Sequence, residues 1–412
     1  MFTSLRGNKP FALLWTSNLF FFGGVWSLTL VLGWLAFELT ESEFLVAVFT
    51  AARLAPLLLG PWAGALADRF NRVRILLLAA AWATLATAVV AVLAATGTLP
   101  YWALVVAGFL LGVAQSPSQP ARASLVMDLV GPANISNANA LNALAMNVTQ
   151  VFGPALGGVM ISALGAPLAL AVTALWFLAS LILLFPIRGI QRVTQVDHGS
   201  VSQMVVGGFR EAIRNRLAGA VLLITVAANL LLWPVYQGFM PVFAEEQFRL
   251  DADGLGLLLT CSGIGGLVGA LVIAKMGDFR FKGGVFVVGT TIWAALWAMF
   301  ALTDSALPAF LLMAAVGVTS AAFAVLQNTL LLLMTPPTVH GRMLGIQELA
   351  IGVMPISSLV IGLIAEHVGI GSTTFGAAVL MVLFTVAVAV RLPRLLSYTR
   401  PAHARGEDEP PR

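Results

Sequence analysis

Gly64-Ala65-Leu66-Ala67-Asp68-Arg69-Phe70-Asn71-Arg72-Val73-Arg74 sets four charged side chains between two apolar runs, residues 44–66 and 75–96. Each run matches the ~20 residues a helix needs to cross about 30 Å of hydrocarbon, where every backbone group must be satisfied within the segment. The stretch therefore reads as a tight turn between two membrane-spanning helices. Working outward, the same alternation gives twelve spans: 11–36, 44–66, 75–96, 101–121, 136–160, 167–187, 217–244, 254–274, 285–303, 307–333, 343–365 and 372–391. Composition agrees. Of 412 residues 59% are hydrophobic, with only 22 basic and 18 acidic side chains, against roughly a quarter charged in soluble domains. That balance excludes an ordinary soluble enzyme, a nucleic-acid-binding protein and a disordered scaffold. The first span is too long for a cleavable signal peptide, and Glu38–Glu43 follows it in place of a small-residue cleavage site.

Lys and Arg placement sets the orientation. With the N-terminus inside, 20 of the 22 basic residues fall in inner segments, among them Arg6, Arg69, Arg72, Arg74, Arg188, Arg214 and Arg391. Arg249 lies in an outer loop and Arg53 within a span. Outer loops carry acids: Glu38, Glu41, Glu43, Glu245, Glu246, Asp251, Asp253 and Glu366. Both termini are therefore expected in the cytoplasm of a multi-pass protein of the inner, cytoplasmic cell membrane. The basic excess serves anchoring to an anionic leaflet. The single Cys261 leaves no intramolecular disulfide.

Residues 188–216 form the longest polar stretch inside the chain and divide six spans from six. The halves echo each other at an offset of 205: Gly60 and Gly64-Ala65-Leu66 correspond to Gly265 and Gly269-Ala270-Leu271, Gly112-Val113 to Gly317-Val318, Pro132 to Pro337, and Gly157 to Gly362. Repeats with a substrate site at their interface are how many secondary transporters are built. The expected organisation is an all-α membrane protein: an N-terminal six-helix bundle (1–187), a cytoplasmic linker (188–216), a pseudo-symmetric C-terminal six-helix bundle (217–392) and a disordered tail (393–412).

The 64–74 stretch resembles the signature loop of the major facilitator superfamily, and the resemblance implies the major facilitator fold. In that family the loop acts as a conformational latch, here Gly64, Asp68, Arg69, Arg72 and Arg74. Asp68 would meet a neighbouring arginine or a helix N-terminus; a plain positive-inside turn with Asp68 as a solvated cap is the alternative. The second half departs from the pattern, with Ile273 at the position of Asp68 and Lys275, Asp278 and Arg280 displaced. Span 5 holds Gly153-Pro154-Ala155-Leu156-Gly157-Gly158, which resembles the antiporter motif of the superfamily, with Thr149 replacing its upstream glycine. Proline removes one backbone hydrogen bond and the glycines leave a smooth packing surface; a generic helix-packing kink is the alternative. Ser4-Leu5-Arg6 with Phe11, Leu14 and Trp15, the Glu38-Leu39-Thr40 turn and Ala140-Leu141-Asn142 are similar to one efflux branch, which includes the enterobactin exporter and macrolide-efflux proteins.

Polar side chains within the spans mark candidate sites, because amides and charges facing lipid are costly. Arg53 lies about 14 Å deep in span 2 at 1.5 Å per residue. Either it draws an anionic group or pairs with an acid, or it snorkels outward or rests on backbone carbonyls. Asn142, Met146 and Gln150 on span 5, Asn229, Trp233, Tyr236 and Gln237 on span 7, and Gln327 on span 10 could bind cargo or glue helices together. Proton-coupling candidates are Glu348, Asp128 and Glu38; Asp128 and Glu348 could instead be structural partners of Arg122 or Arg342. No metal-ligand spacing, cofactor motif or nucleotide loop stands out, so the proton gradient is the expected energy source, by family resemblance.

The expected activity is non-enzymatic: alternating-access export of an amphipathic or anionic small molecule, a drug or siderophore, by proton-coupled antiport. The protein would act as a monomer in the bilayer, with neither nucleic acid nor nucleotide as partner. Rivals are a lipid or lysolipid flippase of the same fold, and a non-transporting receptor or scaffold. The scaffold would want a large extramembrane domain, which the loops do not supply.

Overall fold

A computed structural model of the chain describes residues 7–59, 70–189, 201–277, 279–336 and 339–398. Among these, eleven helices are long and apolar enough to cross a membrane. We label the helices α1 Lys9–Thr40, α2 Glu43–Leu54, α3 Arg72–Ala95, α4 Tyr101–Gly131, α5 Asn137–Leu164, α6 Ala166–Leu184, α7 Val201–Arg214, α8 Arg216–Gln247, α9 Ala252–Met276, α10 Lys282–Ala301, α11 Ala306–Met334, α12 Arg342–Val368 and α13 Ile370–Arg391. The helix α2, continued by a tight turn over Ala55–Leu59, is the described part of the second expected span; α7 lies in the linker. Gly64, Asp68 and Arg69 of the expected latch lie outside the described residues.

The ends of these helices alternate in charge. One end of the molecule gathers Glu38, Glu41, Glu43, Glu245, Glu246, Asp251 and Glu366, the other Lys9, Arg72, Arg74, Arg188, Arg214 and Arg391. They are called the acid-rich and arginine-rich ends below.

Asparagines start the first helix of each half. Asn8 accepts from Phe11 N at 3.0 Å and Asn215 from Ala218 N at 3.2 Å, each satisfying an amide the first turn leaves open. Their amide groups then reach across. Asn8 Nδ2 donates to Leu129 O and Asn215 Nδ2 to Met334 O, both at 2.7 Å. Leu129 and Met334 end α4 and α11, 205 residues apart, so the repeat in sequence is a repeat in hydrogen bonding. Gly112 and Gly317 follow the same rule. A Cβ on Gly112 would strike the carbonyl of Arg53 in α2, and one on Gly317 the carbonyl of Ser262 in α9. Helices in lipid associate through such close backbone approach. Among the eleven long helices the first of each half are also the most buried, with 78% of the most apolar stretch of α1 and 61% of that of α8 inside the molecule.

Several boundaries differ from expectation. The helix α4 runs on to Gly131 because its polar residues turn inward, Ser118 and Arg122 both being buried. The helix α8 continues to Gln247 through two wide turns, Val235–Phe239 and Phe243–Gln247, next to Pro234 and Pro241, which cannot donate to the ladder. The expected linker carries α7, where a Cβ on Gly208 would press on Arg342 O and Ile346. The start of the tail is docked, not disordered. Leu395 is fully buried and the Tyr398 hydroxyl donates to Leu333 O at 2.9 Å.

Candidate functional site

The halves meet in the part of the molecule nearer the acid-rich end, and glycine makes the contact possible. A Cβ on Gly158 would collide with Ala252 O, and one on Gly362 with Ala47; one on Gly256 would lie 2.8 Å from Pro154 O and one on Gly263 2.8 Å from Val151. These contacts seal α5 against α9 and α2 against α12. The Gly153-to-Gly158 motif is thus a two-sided wedge. Gly153 and Gly157 admit Trp26 and Ser27 of α1 on one side, while Gly158 admits α9 on the other. The Thr260 hydroxyl adds a bond to Val151 O at 3.2 Å.

Arg53 sits in this seal at 5% exposure. Its Nη1 donates to Thr29 Oγ1 at 3.4 Å, and its Nη2 to the carbonyl and Oε1 of Gln237 at 3.4 and 3.2 Å. Among the described residues no acid pairs with it, and it does not snorkel. Gln237 lies in the first wide turn of α8, beside a gap of about 30 Å³ lined also by Trp26 and Pro154.

Below the seal, towards the arginine-rich end, opens a cavity of about 240 Å³. Asn147 and Gln150 come from α5, Trp233 and Tyr236 from α8, Ser262 from α9, Trp293 and Trp297 from α10, and Ser320 from α11. Trp233 meets Tyr236 edge-on and Trp293 at a tilt, both with ring centres 5.7 Å apart. Ser262 is hydrogen-bonded to Tyr236. The walls are aromatic rings and neutral amides and hydroxyls, a lining suited to an amphipathic guest.

Of the expected contact residues, Gln150, Trp233 and Tyr236 line this cavity. Met146 packs against the core. Asn229 is buried, with its Nδ2 donating to Thr225 O at 2.8 Å and its carbonyl accepting from Ser357 Oγ at 3.2 Å. Gln327 pairs with the Thr225 hydroxyl at 3.3 Å. Asn142 accepts from Asn18 Nδ2 at 2.6 Å. The amides of Gln327 and Asn142 tie helices together, whereas that of Asn229 folds back on its own helix and its backbone carbonyl meets α12.

The charge pairing differs from expectation. Asp128 does not pair with Arg122 or Arg342; it takes Arg72, one of the arginines of the expected latch, at the start of α3. Arg122 turns inward instead. It donates to Asn18 Oδ1 and lies over the ring of Phe21, 4.5 Å from its centre. Glu348 and Glu38 are exposed, and Glu348 makes no ion pair among the described residues. Asn147, Trp293 and Trp297 escaped the sequence reading. Asn147 was legible as a polar residue inside a span. The tryptophans sit in the uniformly apolar stretch 292–301, where nothing in the sequence separates a cavity wall from core.

Residues 2–407 match the family model described as transmembrane secretion effector. The staphyloferrin A transporter of Staphylococcus aureus is 24% identical over 63% of this chain and 66% of its own length. The multidrug efflux pump Tap of Mycolicibacterium fortuitum is 26% identical over 88% of this chain and 90% of that pump. Among solved structures, the nucleoside transporter NupG superposes with a TM-score of 0.75 at 13% identity, covering 94% of this chain and 99% of that one. A D-xylose–proton symporter superposes at 0.73 and 14% identity, covering 95% and 99%. At such identity the structural likeness speaks for the fold alone.

Proposed function

Because the chain belongs to the transmembrane secretion effector family, we propose that this membrane transporter exports an amphipathic small molecule by alternating access, in exchange for protons. The observation that carries the reading is the aromatic and amide-lined cavity beneath a glycine-sealed junction of the two halves. The acid-rich end faces outward and the arginine-rich end the cytoplasm, following the excess of basic residues at the latter. The cavity then lies on the side of the seal from which an exporter loads. The relatives that move a siderophore and several drugs support cargo of that size and character.

In this cycle the seal around Gly158 and Gly362 parts while the arginine-rich end closes, and Arg72 with Asp128 belongs to the latch on that side. The protein works as a monomer in the cell membrane, with the proton gradient as energy source.

The test is transport in proteoliposomes with an imposed pH gradient, over a panel of staphyloferrin A, erythromycin, ethidium and lysophosphatidylcholine. Gradient-driven movement of one class supports antiport and identifies the cargo class. Movement of lysophosphatidylcholine indifferent to the gradient would replace the proposal with lipid flipping.

A further inference from the structure

At the acid-rich end the two halves cap each other's helices. Glu366, near the end of α12, accepts from the Ser42 hydroxyl at 3.0 Å and from Phe44 N at 2.9 Å, at the start of α2. Glu43, the first residue of α2, reaches the other way. Its Oε1 accepts from Ile370 N at 2.8 Å, in the first turn of α13. Each half thus supplies a carboxylate to a helix N-terminus of the other, where the open amides and the helix dipole both favour it.

The two carboxylates differ in their surroundings. Glu366 is exposed. Glu43 is 6% exposed, and its Oε2 is sealed from solvent with no hydrogen-bond partner among the described residues. The charges that act on it, Glu246 from α8 and Glu366 from α12, are negative. Beyond them Glu245 has a sealed Oε2 of its own and feels Glu38, Glu41, Glu246 and Asp251. The basic groups at this end, Arg249 and His367, are exposed, and His367 faces the Leu363 carbonyl. From α4, Tyr101 gives its hydroxyl hydrogen to Leu45 O. An ionised oxygen without water, donor or counter-charge is strongly disfavoured. A metal ion would need several more oxygens around Oε2. A proton needs no further room.

We infer that Oε2 of Glu43 is a proton-binding site whose occupancy is linked to closure of the acid-rich end. The inference rests on the alternating-access reading above. In the closed form the proton sits on Oε2 while Oε1 keeps the Ile370 amide. When the halves part, water reaches the carboxyl and the proton returns to solvent at the acid-rich face. Burial pushes the Glu43 carboxyl up to about 7 from its ordinary 4.5, against the pull of the Ile370 amide and with repulsion from Glu246 and Glu366. A carboxyl raised in the closed form favours that form fully below 4.5. The advantage falls by up to about tenfold per pH unit between 4.5 and 7 and is gone above 7.

The experiment places spin labels at Leu39 and Leu307, exposed at the acid-rich end of each half, in full-length Cys261→Ser protein in liposomes. Distances are read from about pH 5 to about pH 9, spanning the carboxyl's ordinary and raised values. The short-distance population is expected to grow as pH falls, with the change confined to the window between 4.5 and about 7. Glu43→Gln should hold the short population at every pH, Glu43→Asp should restore a titration, and Glu366→Gln should lower the midpoint. A wild-type titration retained in Glu43→Gln overturns the site. Distances that respond to a transport-panel compound but not to pH also overturn it and leave alternating access standing. Distances that respond to neither remove both.

Discussion

Nη2 of Arg53 lies 3.2 Å from Oε1 of Gln237, so a buried guanidinium of the first half is held by a side chain of the second. Charge-assisted hydrogen bonds of this kind contribute about 1.5–3 kcal/mol each. Arg53→Ala should therefore loosen the junction of the halves by roughly 10- to 150-fold. Gln237→Ala should reproduce only part of the effect, because it removes the Oε1 contact while the carbonyl at 237 and Thr29 still accept from Arg53. As a junction residue, Arg53 should weaken transport of anionic and neutral cargo alike when replaced. Arg53→Lys should fall between, since a single ammonium cannot span Thr29 and Gln237 together. Side-by-side uptake of charged and neutral panel compounds checks this; a selective loss of anionic cargo would instead make Arg53 a cargo contact.

Gly158 offers a sharper probe of the seal. Its missing Cβ would occupy the space of Ala252 O, whereas Gly376 has open space where a Cβ would go. Gly158→Ala should cost about 1–3 kcal/mol of the closed junction by overpacking, while Gly376→Ala should be neutral or slightly stabilising. Labelling of a cysteine placed at the junction should rise in the first variant only. Equal labelling would mean that backbone shifts absorb the methyl.

How much of this was legible in the sequence differs by level. The spans and the twofold organisation could be read because apolar length and glycine spacing are local properties, and Gly112 and Gly317 do approach the backbone of corresponding helices. Asp128 shows the limit. Reading along one helix suggests Arg122, six residues away; the fold delivers Arg72 from the next helix and buries Arg122 against Phe21 and Asn18. The amides show the same limit. Asn142, Asn229 and Gln150 look equivalent in sequence, and only the packing of α1, α8 and α9 decides that the first ties two helices, the second is buried on its own helix and the third lines the cavity. The wide turns of α8 were foreshadowed by Pro234 and Pro241, but the placement of Gln237 beside Arg53 was not.

The Arg72–Asp128 pair joins the start of α3 to the end of α4 at the arginine-rich end, with both side chains 14% exposed. At that depth the pair lies between a surface bridge and a buried one, and breaking it should cost about 1–3 kcal/mol. Asp128→Asn should lower the melting temperature in detergent and slow turnover. The exchange Arg72→Asp with Asp128→Arg should recover part of both. An exchange no better than the single variants would mean that other neighbours of Arg72 dominate.

Trp233 and Asn229 lie one helical turn apart on α8 and separate cargo contact from buried structure. Trp233 lines the cavity between Tyr236 and Trp293; Asn229 is buried in bonds to Thr225 and Ser357. Truncating a large apolar side chain against a bound ligand forfeits about 1.5–3 kcal/mol. Trp233→Ala should thus raise the apparent Kd of an aromatic cargo roughly 10- to 150-fold, with little change in melting temperature because the ring is partly exposed already. Asn229→Ala should do the reverse: about 0.5–1.5 kcal/mol of stability lost with one buried side-chain hydrogen bond, and unchanged selectivity across the panel. Binding isotherms and melting curves on the same preparations decide it. If Asn229→Ala altered which compounds bind, the cargo path would have to extend behind α8 towards α12, and the cavity described here would be only its entrance.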